Sequence, residues 1–458
     1  MNVPKSVFRE YDVRGVIGNE LTPEFARALG RAYGTMAWSR LDRAPVLIVG
    51  RDNRPSGSAL SQGVRVGILE SGARVVDIGE LPTPALYFAV HHLGADGGLQ
   101  VTGSHNPPEF NGFKMVLAGD SVHGEAILAL YESIVKEEWR TGSGRESADS
   151  SILPAYREAI VSRNHLARPV KVVVDCGNGV SSLIAVSTLE AMGAEVTPLF
   201  AESDGTFPNH HPDPTVPANL VDLRRVVRNT GAELGIAFDG DGDRIGAVDE
   251  TGTIIFGDLL LIIFGRDAIR RFGPGVPVIF DVKCSDLLPR ALAEAGARPE
   301  MWKTGHSLIK ARMKKAGAPL AGEMSGHLFF GGDWFGFDDA LFAAARLLEI
   351  VSAGPPGMSR LLADLPGTFA TPEIRLDCPD HVKFAVAEKA AGYFGSRYPV
   401  NTIDGVRIGF PDGWGLLRAS NTQPVLVLRF EATSQAALEH YRAEVFGWLE
   451  TQGLSAEP

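Results

Sequence analysis

VVVDCGNGVSSLIAVSTLEAMGAEVT, residues 172–197, holds a complete strand–loop–helix–strand unit. Val172-Val173-Val174 is a short apolar run of the kind that forms a buried strand. It breaks at Asp175 into the loop Cys176-Gly177-Asn178-Gly179. A helical stretch then runs to Gly193-Ala194, where glycine ends it, and Glu195 to Thr197 reads as a second strand. The same order occurs on either side. Upstream, Val46-Leu47-Ile48-Val49 meets the loop Gly50-Arg51-Asp52-Asn53-Arg54-Pro55, then a helix ending near Gly72, then a strand from Arg74 to Asp77. Downstream, Val278-Ile279-Phe280-Asp281 meets Val282-Lys283-Cys284-Ser285, a helix to Gly296-Ala297, and the short strand Pro319-Leu320-Ala321. In each unit a later strand delivers a polar loop at its carboxyl end, where α/β sheets bind ligands. Three similar α/β units are expected.

The rest of the chain fits around them. At 458 residues it is too long for one core. With 45% hydrophobic and 22% charged residues it is globular, and a net charge of −11 argues against a nucleic-acid surface while leaving room for a local basic pocket. Cys176, Cys284 and Cys378 lie far apart without CxxC spacing, the pattern of a reducing cytosol with no disulfide framework. MNVPKSVFREYD lacks an apolar signal core, and Leu259 to Phe264 is too short to span a bilayer. A cytoplasmic protein without a membrane partner is expected. Thr22 and Pro23 begin a helix that runs to about Ser39, as N-cap and first residue. Thr141 to Ser151 is small, polar and linker-like, and Asp249 to Thr253 reads as a hairpin turn. The Pro/Gly-rich segment Ser352 to Pro372 introduces a fourth, α+β unit. Its strands are expected near 403–408, 414–419 and 424–431, and its helices near 382–393 and 434–451. The expected domains are 1–148, 149–252, 253–366 and 367–458.

Four loops carry the chemistry. In LQVTGSHNPPEFNGFK (99–114), Ser104 follows a strand in a loop that Gly103, Pro107, Pro108 and Gly112 keep from becoming helix. Beside His105, and with Lys114 downstream, its hydroxyl suits a nucleophile or phosphate carrier, or simply a turn that organises its own loop. DGDGDR (239–244) sets three carboxylates at alternate positions, separated by glycines that let the backbone curl around one cation. An all-oxygen set suits Mg²⁺ or Ca²⁺ rather than zinc. An EF-hand would need glycine where Arg244 stands, and helices where strands flank this loop. GEMSGH (322–327) supplies Glu323, Ser325 and His327, a set suited to vicinal sugar hydroxyls or to ordinary packing. Arg418, Ser420, Asn421 and Thr422 combine a guanidinium with three short polar groups, as a phosphate dianion requires or as turn capping provides.

In this order the four loops closely resemble the α-D-phosphohexomutase superfamily, and within it the bacterial phosphomannomutase/phosphoglucomutase branch, over essentially the whole chain. The resemblance implies three α/β domains and a smaller C-terminal α+β domain around a central cleft. It implies a phosphoserine at Ser104, with Mg²⁺ bound by Asp239, Asp241, Asp243 and the Ser104 phosphate. Glu323, Ser325 and His327 would hold sugar hydroxyls, and Arg418, Ser420, Asn421 and Thr422 the non-reacting phosphate. Lys114, His306 and Arg14 are the candidate proton-transfer groups, and Arg244 would help place the phosphoryl group. Tyr11, Lys283 and His105 match positions lining the cleft. The implied reaction interconverts hexose 1- and 6-phosphates of mannose or glucose through a 1,6-bisphosphate. Met324 separates this branch from phosphoglucosamine mutase, the alternative within the class. A metal-dependent sugar phosphatase and a non-catalytic sugar-phosphate binder are the alternatives outside it.

Overall fold

A computed structural model of the chain describes residues 3–454. The strand Lys171–Asp175 pairs in parallel with Glu195–Leu199 on one side and Leu234–Phe238 on the other. After Leu234–Phe238 the chain turns back through Ile245–Asp249, antiparallel, with Phe238 opposite Ile245. The other two units repeat this order. Val46–Arg51 lies between Arg74–Glu80 and Gly97–Val101, and Phe110–Leu117 returns antiparallel beside the latter. Pro277–Asp281 lies between Arg298–Trp302 and Leu320–Gly322, with Leu328–Phe330 as the return. The units therefore share one plan.

The polar loop of each unit is the tip of a hairpin between its third strand and the return strand. Ile245–Asp249 is one of the two strands expected to flank 239–244; the return strands Phe110–Leu117 and Leu328–Phe330 are absent from the sequence reading, and so is Arg298–Trp302. In the third unit that strand fills the slot after Gly296-Ala297, and the helix His306–Ala316 separates it from Leu320–Gly322. Thr22 caps the helix Pro23–Leu41, its side chain accepting from the Phe25 amide at 3.2 Å. In the second unit a 3₁₀ turn, Val180–Leu183, precedes the helix Ala185–Ala191.

The supposed linker is structured. Gly142 and Gly144 donate to the Glu70 and Leu69 carbonyls, and Glu146–Ala148 adds to the edge strand Arg74–Glu80. Small polar residues here let the chain pack against a helix end rather than hang free. The Pro/Gly-rich segment is likewise pinned. Met358 is fully buried, and Glu250 accepts from the Met358 and Ser359 amides at 2.8 and 3.1 Å. One apolar core runs through all three units and includes Leu86, Ile160, Phe264 and the buried helix Ala340–Ser352. The fourth unit has its own core, with Phe410, Phe430 and Trp448. It is built on Val406–Phe410, Gly413–Ala419 and Val425–Ala432, packed with Asp380–Gly395 and Gln435–Thr451. It meets the third unit through Val282, Trp414 and Leu416, and through buried Arg407, which stacks on Trp414 at 3.5 Å and donates to Cys284 O at 2.9 Å. Among the described residues no helix is long and apolar enough to cross a membrane.

Candidate active site

The hairpin tips of the first three units and the fourth unit's loop open on one cleft of about 750 Å³. Arg244 pairs with His327 as an isolated antiparallel bridge, and Ile245 N donates to Gly326 O at 3.1 Å, so the second and third tips are joined through backbone. Ser104 is buried. Its Oγ donates to Asp239 Oδ2 at 3.1 Å and lies 3.1 Å from His105 Nδ1. A serine and three aspartates from separate units thus form one group.

Asp239, Asp241 and Asp243 are completely buried, with ligand oxygens within 4.8 Å of one another. Asp239 Oδ1 accepts from the Gly242, Asp243 and Arg244 amides, each at 3.0 Å, which curls the loop about that oxygen. Lys114 Nζ bonds Asp241 Oδ2 at 2.7 Å and also Asp243 Oδ2. Burial opposes charge on Lys114, but the two aspartates outweigh it and hold the ammonium well above the usual lysine range. Burial would raise Asp241, yet Lys114 and a bond from Thr83 Oγ1 at 2.6 Å bring it below the usual value. Burial, then Asp241 and Asp243, pushes Asp239 well up. Oδ1 of Asp241 and Oδ1 of Asp243 are buried without a hydrogen-bond partner. Close, buried, incompletely paired carboxylate oxygens are the donor set of a hard divalent cation, so these residues fit one.

The remaining sequence candidates, Tyr11, Arg14, His105, Lys114, Arg244, Lys283, His306, Glu323, Ser325, His327, Arg418, Ser420, Asn421 and Thr422, all line the cleft. Arg14 donates to Asp12 at 2.6 Å and Asn106 at 3.0 Å. Tyr11 ties three units: its hydroxyl donates to Thr304 O and accepts from Asn421 Nδ2, both at 3.0 Å. Glu323 accepts from the Gly305 amide at 2.5 Å and from Ser325 Oγ at 3.2 Å. Asp404 fixes Arg418 Nε at 3.1 Å and the Thr304 amide at 3.0 Å. Burial, then the charges of Arg244 and Arg14, keeps His105 well below the usual histidine value. Burial and then Lys310 do the same for His306.

Besides Asp404, three groups here escaped the sequence reading. Asp338 is fully buried, 3.1 Å from His327 Nδ1 and from Lys310 Nζ, and 3.9 Å from His306. Arg244 Nε donates to His327 Nε2 at 2.9 Å, which puts the imidazole proton on Nδ1, facing Asp338. Asp338 stands beside Asp339, which caps the next helix by accepting from Phe342 N; an Asp-Asp pair before an apolar helix was the available signal. Asp52 and Arg54 underlie the serine loop. Glu373 holds Lys283 at 3.1 Å across the third and fourth units.

Burial pushes Glu373 up, but Lys283 and Arg375 hold it down at about 2, against an ordinary 4.5. Because the folded value is depressed, the stabilisation from Glu373 is complete above pH 4.5 and fades as the pH falls through about 2. The melting temperatures of the wild type and Glu373→Gln should therefore differ at pH 5 and converge as the pH falls to 2. A gap that stays constant on acidification would contradict the pairing.

Family models for the phosphoglucomutase/phosphomannomutase alpha/beta/alpha domains I, II and III match residues 5–141, 154–252 and 256–369, and the model for its C-terminal domain matches 373–447. The chain belongs to the phosphoglucomutase/phosphomannomutase family. A Pseudomonas aeruginosa relative named phosphomannomutase/phosphoglucomutase is 49% identical over 443 residues, covering 96% of this chain and 94% of its own. A Neisseria gonorrhoeae relative named phosphoglucomutase is 46% identical over 444 residues, covering 96% and 95%. The crystal structure of a Burkholderia thailandensis phosphoglucomutase/phosphomannomutase family protein superposes with a TM-score of 0.90 at 46% identity, covering 96% of each chain. The fold expected from the resemblance, α/β units with a distinct C-terminal domain, is the fold of this family.

Proposed function

We propose that this protein is a Mg²⁺-dependent phosphohexomutase that interconverts hexose 1- and 6-phosphates, with mannose and glucose as its sugars. The observation that carries this reading is the placement of Ser104 Oγ, 3.1 Å from Asp239, in a cleft that also holds the Arg418–Thr422 loop. A phosphoryl carrier and a second phosphate site on one cleft suit a substrate phosphorylated at either end. Mg²⁺ held by Asp239, Asp241 and Asp243 would supply positive charge against the transferring phosphoryl oxygens.

The Oγ–P bond of phospho-Ser104 breaks as phosphorus bonds a free sugar hydroxyl; the hydroxyl proton passes to the protein, and the departing Ser104 Oγ takes a proton from it. The 1,6-bisphosphate then reverses end for end, and its other phosphate returns to Ser104. Glu323 and Ser325 hold the sugar hydroxyls, while Arg418, Ser420, Asn421 and Thr422 bind the distal phosphate, with Lys283 and Tyr11 alongside. Arg244 and Arg14 orient phosphate oxygens through the planar fork of their guanidinium groups. Among the proton-transfer candidates, Lys114 is held as an ammonium and donates, whereas neutral His306 accepts.

To these residues we add His327 as the group that positions Arg244: its Nε2 accepts from Arg244 Nε at 2.9 Å and its Nδ1 lies 3.1 Å from Asp338. His327→Ala is expected to lower kcat by about 100-fold with KM little changed. A change confined to KM would return His327 to holding hydroxyls alone.

The deciding experiment supplies glucose 1-phosphate, mannose 1-phosphate and glucosamine 1-phosphate in turn, with glucose 1,6-bisphosphate and Mg²⁺, and measures 6-phosphate and free phosphate. Rapid isomerisation of the first two supports the proposal. Preference for glucosamine would make the protein a phosphoglucosamine mutase, and free phosphate outpacing isomer would make it a phosphatase. Binding without either product would make it a sugar-phosphate binder.

A further inference from the structure

Arg54 lies in the first unit's loop Gly50 to Pro55, to which the reaction above gives no task, and its side chain is almost wholly buried beneath the Ser104 loop. Nη1 donates to Pro107 O at 2.7 Å and Phe110 O at 2.9 Å; Nη2 donates to Ser104 O at 2.8 Å and Asn106 O at 2.5 Å. Nε donates to Asp52 Oδ2 at 3.2 Å. A guanidinium has five N–H donors, and all five are spent here, four of them on carbonyls of one short loop. Pro107 and Pro108 remove two amides from that loop, so carbonyls that a regular turn would satisfy need an outside donor.

The surroundings fit this arrangement. Asp52 Oδ2 also accepts from the Gly103 amide at 3.2 Å, so the ion pair grips the loop on both sides of Arg54. A Cβ at Gly103 would stand 2.6 Å from Arg54 Cζ, and the guanidinium therefore needs glycine at that position. Phe207, from the second unit, covers the guanidinium at 5.1 Å. Ser104 itself has φ of 51°, a left-handed conformation that a serine holds only when its neighbours fix it.

We propose that Arg54 is the positioning residue of the nucleophile, organising the four carbonyls so that Ser104 Oγ is aimed at Asp239. This rests on the reading of Ser104 as the phosphoryl carrier. Arg54 touches neither sugar nor phosphate and acts through the loop, so its loss changes the transfer step and spares sugar binding.

The test uses the full-length wild type, Arg54→Lys and Gly103→Ala. Lysine keeps the charge but has a single nitrogen for the four carbonyls, and Gly103→Ala displaces the guanidinium without removing it. Folding is checked by melting temperature, mutase kcat and KM are measured, and single-turnover phosphorylation of Ser104 by glucose 1,6-bisphosphate is followed by intact mass. In at least one variant that melts cooperatively, both kcat and the single-turnover rate should fall about 100-fold, as expected for a displacement near 1 Å. KM should stay within about threefold. Folded variants with wild-type rates, or unfolding of both variants, would overturn the role of Arg54. A wild type that takes no phosphate on Ser104 would overturn the phosphoserine reading, and the role of Arg54 with it; the wild-type control alone separates the two failures.

Discussion

Ser104→Ala is expected to give a folded chain that takes up no phosphate from glucose 1,6-bisphosphate and isomerises hexose phosphates at least about 1,000-fold more slowly. The fold survives because the lost hydroxyl contacts only Asp239 Oδ2 and His105 Nδ1, while Asp239 keeps its three amide donors on Oδ1. Alanine and serine both carry a Cβ, so the left-handed backbone costs them about the same. The effect therefore falls on chemistry. Intact mass after incubation with the bisphosphate, followed by peptide mapping, reads the covalent step directly. A phosphate found elsewhere on the chain, or near-normal turnover by the variant, would remove Ser104 from the mechanism.

The second large effect is expected at Asp241. Its Oδ2 serves both Thr83 and Lys114, so Asp241→Ala leaves a buried ammonium with Asp243 alone and a buried hydroxyl without its acceptor. Stripping one partner from a buried charge costs about 3 kcal/mol or more, which differential scanning calorimetry detects. Turnover should fall by about 100-fold or more, since a preorganised site for developing phosphoryl charge has been dismantled. After chelation with EDTA, Mg²⁺ should restore the wild type and leave the variant inactive at every concentration tried. Recovery of the variant at high Mg²⁺ would show that Asp239 and Asp243 suffice.

Much of this site was legible in the sequence because its most telling chemistry is local. Three aspartates interrupted by glycines, or a serine between glycine and prolines, declare both a turn and a charge pattern within six residues. The return strands of the first and third units were not legible for the opposite reason. In Phe110–Leu117 the Asn111-Gly112 pair imitates a turn, whereas Gly112 is there because a Cβ would come within 2.4 Å of Val13 O on the neighbouring strand. Leu328–Phe330 is too short to show a period. Arg54 was invisible because its partners are backbone carbonyls some fifty residues away, and a carbonyl has no letter in the sequence. Asp338 was hidden beside a helix cap, and Asp404 in an ordinary turn. In each case the informative neighbour is distant along the chain.

The threefold hairpin plan also constrains how such a protein can change over generations. If one ancestral unit was copied twice, a serine, a cluster of carboxylates and a glutamate–histidine pair are divergent descendants of one hairpin tip. Each inherited its address at the cleft from the strand beneath it. Side chains at the tips are then free to drift toward new chemistries. Tip length is not, because the bridge between Arg244 and His327 and the close fit of Gly240 against Ser104 O hold neighbouring tips in register. Insertions should accumulate in the connections on the far side of the sheets, and innovation at the tips should proceed by substitution alone.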